Sequence, residues 1–153
     1  MRIALFAEGK LTQVETVDLL VTASDPAELD LRYGLESFID FESIWHFRVD
    51  KDIKTILRKL GIVVREQKLV KISRESAKRR KKLRDKKYAL IAEQSFSKFI
   101  SKEASQKETL AILIGATQNS TVKSAVMDAV QNGNLDEDTK FLFRSLGVLP
   151  ASY

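Results

Sequence analysis

Five consecutive cations, Lys78, Arg79, Arg80, Lys81 and Lys82, constrain this chain more than any other stretch. At about 100° per residue they go right round a helix, so no face of that turn can enter an apolar core. The turn has to stand in solvent or against a polyanion. It belongs to a longer stretch, residues 65–87, with twelve Lys or Arg and three acidic residues, a charge of +9. The 153-residue chain carries +5 in all, so everything outside the stretch sums to −4. A basic stripe between mildly acidic flanks is the electrostatic footprint expected of a protein that touches phosphates.

Composition narrows the chemistry. There is no cysteine, which removes disulfides, thiolate metal sites and thiol nucleophiles. The single histidine, His46, stands between Trp45 and Phe47. Histidine-rich metal sites and triads are out of reach, and a packed or surface role is expected for it. Three aromatics in that region, Phe41, Trp45 and Phe47, read as core, with base stacking as the alternative. No apolar run approaches the roughly 20 residues of a membrane span, and the apolar N-terminus is too short for a secretory signal. The expectation is a cytoplasmic protein, or a nuclear one in a host with a nucleus, with no membrane partner and no cofactor.

In chain order, the apolar run Arg2–Glu8 closed by Gly9 reads as a buried strand. Thr12 and Glu15 have capping-box spacing and predict a helix over about 13–23, with a strand over 16–22 as the competitor. Asp25 followed by Pro26 predicts a second helix to about Asp40, with Leu31, Leu35, Phe38 and Ile39 on one face. Asp50 caps a helix over 51–60, stopped by Gly61. Its apolar face is Ile53, Ile56, Leu57 and Leu60, and its other side carries Lys51, Lys54, Thr55 and Arg58. Two β-branched runs suggest a hairpin over 62–72. A long helix should follow from about residue 73 or 76 to 101, with an apolar seam of Ala77, Leu83, Leu90 and Ile91. Phe96, Phe99 and Ile100 extend that seam only with a bend. Ser105 and Glu108 form a second capping box, opening a helix whose segment Leu110–Ala116 is apolar all round. Such a segment is buried in a core or in a subunit interface. Helices over 121–131 and about 136–146 complete the chain. No internal repeat stands out.

Two resemblances follow. A basic-faced helix, then a hairpin, preceded by two more helices, resembles the winged-helix family over residues 12–73. That resemblance implies groove contacts from Lys51, Lys54, Thr55 and Arg58 and backbone contacts from the hairpin's Arg65, Lys68 and Lys71. Separately, Glu8-Gly9 after a strand and Asp50-Lys51-Asp52 some forty positions on resemble the Toprim family of nucleases, primases and topoisomerases. That implies magnesium held by Glu8, Asp50 and Asp52. Helix capping and dipole charge already account for the two aspartates.

The expected architecture is mainly α with a small β component: a winged-helix-like part ending at residue 73, then, over 74–153, a basic helix and a C-terminal helical bundle. The expected function is non-catalytic binding of DNA or RNA through residues 48–87, where 17 basic groups face 5 acidic ones. The contact residues would be Lys51, Lys54, Arg58, Arg65, Lys68, Lys71, Arg74, Lys78, Arg79, Arg80, Lys81, Lys82, Arg84, Lys86 and Lys87. Residues 105–116 would serve homo-oligomerisation or a protein partner. The alternatives are an assembly adaptor and the Toprim-like nuclease.

Overall fold

The computed structural model describes residues 5, 6, 8–35, 56–62 and 74–150; within 74–87 the described side chains are Arg79, Leu83, Lys86 and Lys87. The chain is mostly helical. Five helices are described in full: α1 (Gln13–Ser24), α2 (Arg74–Ile100), α3 (Gln106–Gln118), α4 (Ser120–Gln131) and α5 (Glu137–Ser145). Shorter helical pieces lie at 29–35 and 56–59. The hairpin expected over 62–72 lies outside the described residues beyond Ile62, as do the aromatic segment around His46 and the first half of the helix over 51–60. The described β structure is a single antiparallel bridge, Thr12 with Ser105.

The centre of the core is α3. Residues 110–116 are buried on every side within this one chain, with Ile112 and Leu113 fully enclosed. Of the two settings expected for this apolar stretch, core or subunit interface, the chain supplies the first: α2, α4 and α1 cover it. Ala92 of α2 and Val122 of α4 both lie against Gly115 of α3. A Cβ added at Gly115 would stand 3.5 Å from Val122 and 3.6 Å from Ala92, ordinary contact distances with no room left over.

The N-terminal expectation also changes. Leu5 and Phe6 are helical, and Glu8-Gly9 is the turn that closes the helical segment. The Gly9 N–H donates to the Phe6 carbonyl (3.1 Å) and the Lys10 N–H to the Leu5 carbonyl (2.9 Å), with Gly9 at φ +72°. This is the Schellman arrangement, in which a left-handed residue lets two amides fold back onto the last carbonyls. An apolar run bounded by glycine fits a buried helix end as well as a strand. Asp25 likewise caps no helix directly. Its carboxylate accepts from the Ala27 N–H in a local turn, and helix begins only at residue 29. Arg32, in that following segment, donates to the carbonyls of Ala23 and Ser24 and so closes the end of α1.

Both expected capping boxes are present. Thr12 and Ser105 each accept from the backbone of a glutamate three residues on, and each glutamate reaches back to the cap's own N–H. Each box continues into an arrangement that pairs the two loops. Gln13 and Gln106, the first residues of α1 and α3, are buried. Gln13 donates to the Phe99 carbonyl (2.8 Å) and accepts from the Ala104 N–H (3.1 Å). Gln106 donates to the Phe6 carbonyl (2.8 Å) and accepts from the Leu11 N–H (3.1 Å). The two sets of bonds are mirror roles, as about a local two-fold through the Thr12–Ser105 bridge.

The correspondence extends along the chain at a constant offset of 93 positions. Phe6 matches Phe99, Thr12 matches Ser105, Gln13 matches Gln106, Glu15 matches Glu108 and Thr16 matches Thr109. Thr16 and Thr109 are both fully buried and donate to the carbonyls of their cap residues, at 2.7 and 2.8 Å. Lys102 matches Gly9: it too is left-handed (φ +63°), and its turn repeats the same two backbone bonds onto Phe99 and Lys98. The expectation of no internal repeat is corrected. The repeat is short and lies in polar cap positions, where apolar periodicity gives no signal.

Two outcomes follow from the joint. Gln13→Ala or Gln106→Ala leaves one buried N–H, that of Ala104 or Leu11, without its partner, while the carbonyl of Phe99 or Phe6 keeps the bond from its own turn. Each should lower stability by about 1–3 kcal/mol per unmet group, read by denaturant unfolding. An outward variant such as Lys123→Ala should stay within about 0.5 kcal/mol of the parent.

The second outcome concerns pH. The Glu108 carboxyl is held below its ordinary value of 4.5, first by the Ser95 hydroxyl, then by the Ser105 backbone, with Lys98 (3.7 Å) adding to the effect. A lowered folded-state pKa means that protonation is easier in the unfolded chain. The stabilisation is therefore complete above about pH 4.5 and is lost as pH falls through the folded value. Glu108→Gln preserves the capping box but not the charge. Its melting temperature should fall below that of the parent at pH 7, and the gap should close in melts near pH 3.

Candidate nucleic-acid interface

Helix α2 is 27 residues long, about 40 Å at 1.5 Å per residue. Its described buried side chains begin at Tyr88 and continue with Ala92, Ser95 and Phe99, spaced by three and four. Phe99 packs edge-on against Phe143 of α5 (6.1 Å between ring centres) and beside Phe96 (6.0 Å). This ridge corrects the expected seam. Leu83 and Leu90 are 69% and 56% exposed, and Ile91 and Phe96 are only half-buried. The sequence pattern favours large aliphatic residues, whereas the ridge uses Ala92, which lies against Gly115 of α3, and Ser95.

Ahead of Tyr88, every described side chain of α2 is exposed: Arg79, Leu83, Lys86 and Lys87. Arg79 and Lys86 are seven positions apart and share a face, with Leu83, Lys87 and Leu90 beside them. Residues 74–87 carry nine basic and two acidic groups, +7. Arg74, Lys78, Arg80, Lys81, Lys82 and Arg84 lie on this helix, and their side chains are outside the described set.

Of the remaining candidates, only Arg58 is described. It is exposed, with Lys59, on the helical piece 56–59, while Ile56, Leu57 and Leu60 are buried beneath it. This piece ends as the sequence indicates: the Ile62 N–H reaches back to Leu57 and the Gly61 N–H to Arg58. Lys51, Lys54, Arg65, Lys68 and Lys71 lie outside the described residues, as do Asp50 and Asp52. Arg58 and the α2 cations therefore sit on separate elements.

For the metal reading, Glu8 is exposed and paired with Lys10 at 3.1 Å. The strand on which the Toprim resemblance places Glu8-Gly9 is a helix end. Among the described residues no three acidic or histidine side chains converge as a metal site would require. Among the same residues no helix is long and apolar enough to cross a membrane.

One cation at this surface is absent from the sequence-derived set. Lys107, the second residue of α3, lines a cleft of about 220 Å³ together with Lys87. Its signal in the sequence is indirect: a capping box turns the second helical residue outward while burying the first, here Gln106. Compared with protein-family models, curated proteins and solved structures, the chain matches none.

Proposed function

We propose that the chain binds nucleic acid without reacting with it, through phosphate contacts from the N-terminal half of α2. The observation that carries this reading is the position of the charge relative to the core. The helix runs about 14 residues, some 21 Å, ahead of its first described buried side chain, and that length carries +7. Such a rod offers cations at the spacing of a polyanion while its other half is held in the bundle. Affinity of this kind comes from counterion release, is independent of sequence and falls with salt.

Replacing Arg79, Arg80, Lys81 and Lys82 by Ala should weaken binding alike on all sequences. It should also flatten the dependence of log K on log salt by up to about 0.9 for each duplex phosphate that is no longer neutralised. Unfolding of this variant should match the parent. Equal binding by variant and parent at each salt concentration, in electrophoretic titrations against duplex DNA, single-stranded DNA and RNA, removes the proposal.

The winged-helix arrangement over 12–73 is the finer form of the same reading. The exposed Arg58 above buried Ile56, Leu57 and Leu60 supports it. An arginine–guanine contact is worth about 1–3 kcal/mol of discrimination. Arg58→Ala should then lower preference for a selected site more than it lowers binding to random DNA. An unchanged ratio in competition assays makes Arg58 a phosphate contact and ends the winged-helix assignment.

A second reading, an assembly adaptor, is favoured by Leu83 and Leu90, two large apolar side chains left exposed among the lysines. Its partner would be an acidic amphipathic helix. Leu83→Ser with Leu90→Ser would abolish that contact and leave the salt-dependent retention on nucleic acid unchanged.

A further inference from the structure

The cleft between α2 and α3 has a composition that neither the fold nor phosphate binding explains. Its wall is the half-buried Ile91 of α2, and its floor is made by the few exposed atoms of Leu110, Ala111 and Ile114 of α3. Its polar lining includes the ammonium-bearing side chains of Lys87 and Lys107, both exposed, and no acidic residue lines it. Among the described residues neither lysine is paired with a carboxylate. Gln106 also lines the cleft, but its amide oxygen and nitrogen are committed to Leu11 and Phe6, so it asks for no ligand. An apolar cavity of about 150 Å³ is enough to hold benzene, so about 220 Å³ accommodates a ring or a short acyl chain.

We infer that this cleft binds a small amphiphilic anion, its apolar body against Ile91, Leu110 and Ile114 and its anionic head at Lys87 and Lys107. Burial of the apolar body supplies the affinity. The two cations select for a carboxylate, sulfonate or phosphate and against an uncharged molecule of the same shape. A basic surface alone would bind such a molecule with no preference for its apolar part, and an apolar cleft alone would take neutral and charged forms alike. The inference does not rest on the nucleic-acid reading. Lys87 is common to both, whereas Lys107 and Ile91 belong to the cleft.

Octanoate and 1-octanol, equal in length and differing in charge, are the probes. Titrated into the full chain and followed by calorimetry or amide chemical shifts, octanoate should bind at one saturable site and octanol more weakly. Lys87→Ala with Lys107→Ala should weaken octanoate by about five- to tenfold, as expected for two exposed cations. Lys123→Ala should leave octanoate binding unchanged. Ile91→Trp fills the cleft from a half-buried position and should abolish binding, with far-UV circular dichroism and melting confirming that the variant is folded. The Arg79–Lys82 alanine variant should keep octanoate binding, which separates this site from the phosphate surface.

The same head and tail could be presented free or by a lipid, so phosphatidylglycerol and phosphatidylcholine vesicles form a second arm. Co-sedimentation with phosphatidylglycerol that is lost in Ile91→Trp assigns a lipid acyl chain, and octanoate binding without co-sedimentation assigns a free amphiphile. No saturable octanoate site and no Ile91-dependent vesicle binding overturns the inference. So does octanoate binding that is indifferent to all three cleft substitutions.

Discussion

The fold depends on two buried carboxamides. Gln13 and Gln106 each close a carbonyl at the end of one helix and an amide just before the start of another, in the opposite half of the chain. Helix ends carry orphaned backbone groups, and burying them is costly unless something answers them. A glutamine is suited to the task because it has a donor and an acceptor on one rigid plane. Replacing the pair by apolar residues would leave the Leu11 and Ala104 amides without partners in the dry. The joint therefore fixes the register between residues 5–16 and 98–109, and with it the place of α1 and α3 in the core.

From that joint the remaining packing follows. Once the start of α3 is fixed, its apolar length runs through the middle of the bundle, and it becomes the surface on which α2, α4 and α1 are arranged. Ala92 of α2 and Val122 of α4 meet Gly115 on that surface. The outer half of α2 is then what extends from the packed half. Its cations are held in direction by a helix whose other end is anchored through Phe99 to Phe143.

Much of the helical framework is legible from local chemistry. Thr12 and Ser105 cap the helices that their sequence neighbourhoods indicate, and Gly61 closes the piece over 56–59. These signals are legible because a cap is decided within a few residues. The failures share a cause as well. The run before Gly9 reads as a strand because a short apolar run carries no period. Leu83 and Leu90 read as core because large aliphatics usually are, and the true ridge is made of Ala92 and Ser95. The joint that Gln13 and Gln106 build spans most of the chain: the matching runs 12–16 and 105–109 stand in the sequence, but nothing local says that they meet. For the candidate site, the charge on α2 is plain in the sequence. Lys107, twenty positions from Lys87, joins it only through the packing of two helices.

The two halves of the joint differ at one telling place. Gly9 adopts its left-handed backbone without steric cost, but Lys102, in the equivalent turn, carries a side chain into a conformation that disfavours one by about 1–2 kcal/mol. A glycine there would relieve the backbone, but it would give up the contact Lys102 makes with Asp136 (3.4 Å), the cap of α5. Burial pushes the Asp136 carboxyl up, and the Thr139 bonds together with Lys102 more than reverse this, leaving a carboxylate that caps α5 and holds the loop at once. Lys102 is thus one place where the symmetry of the joint is broken, and it ties the otherwise two-sided pairing to a third helix. A perfectly symmetric joint would treat its two loops as interchangeable. Lys102 makes them distinguishable, giving the C-terminal loop a neighbour that the N-terminal loop cannot claim.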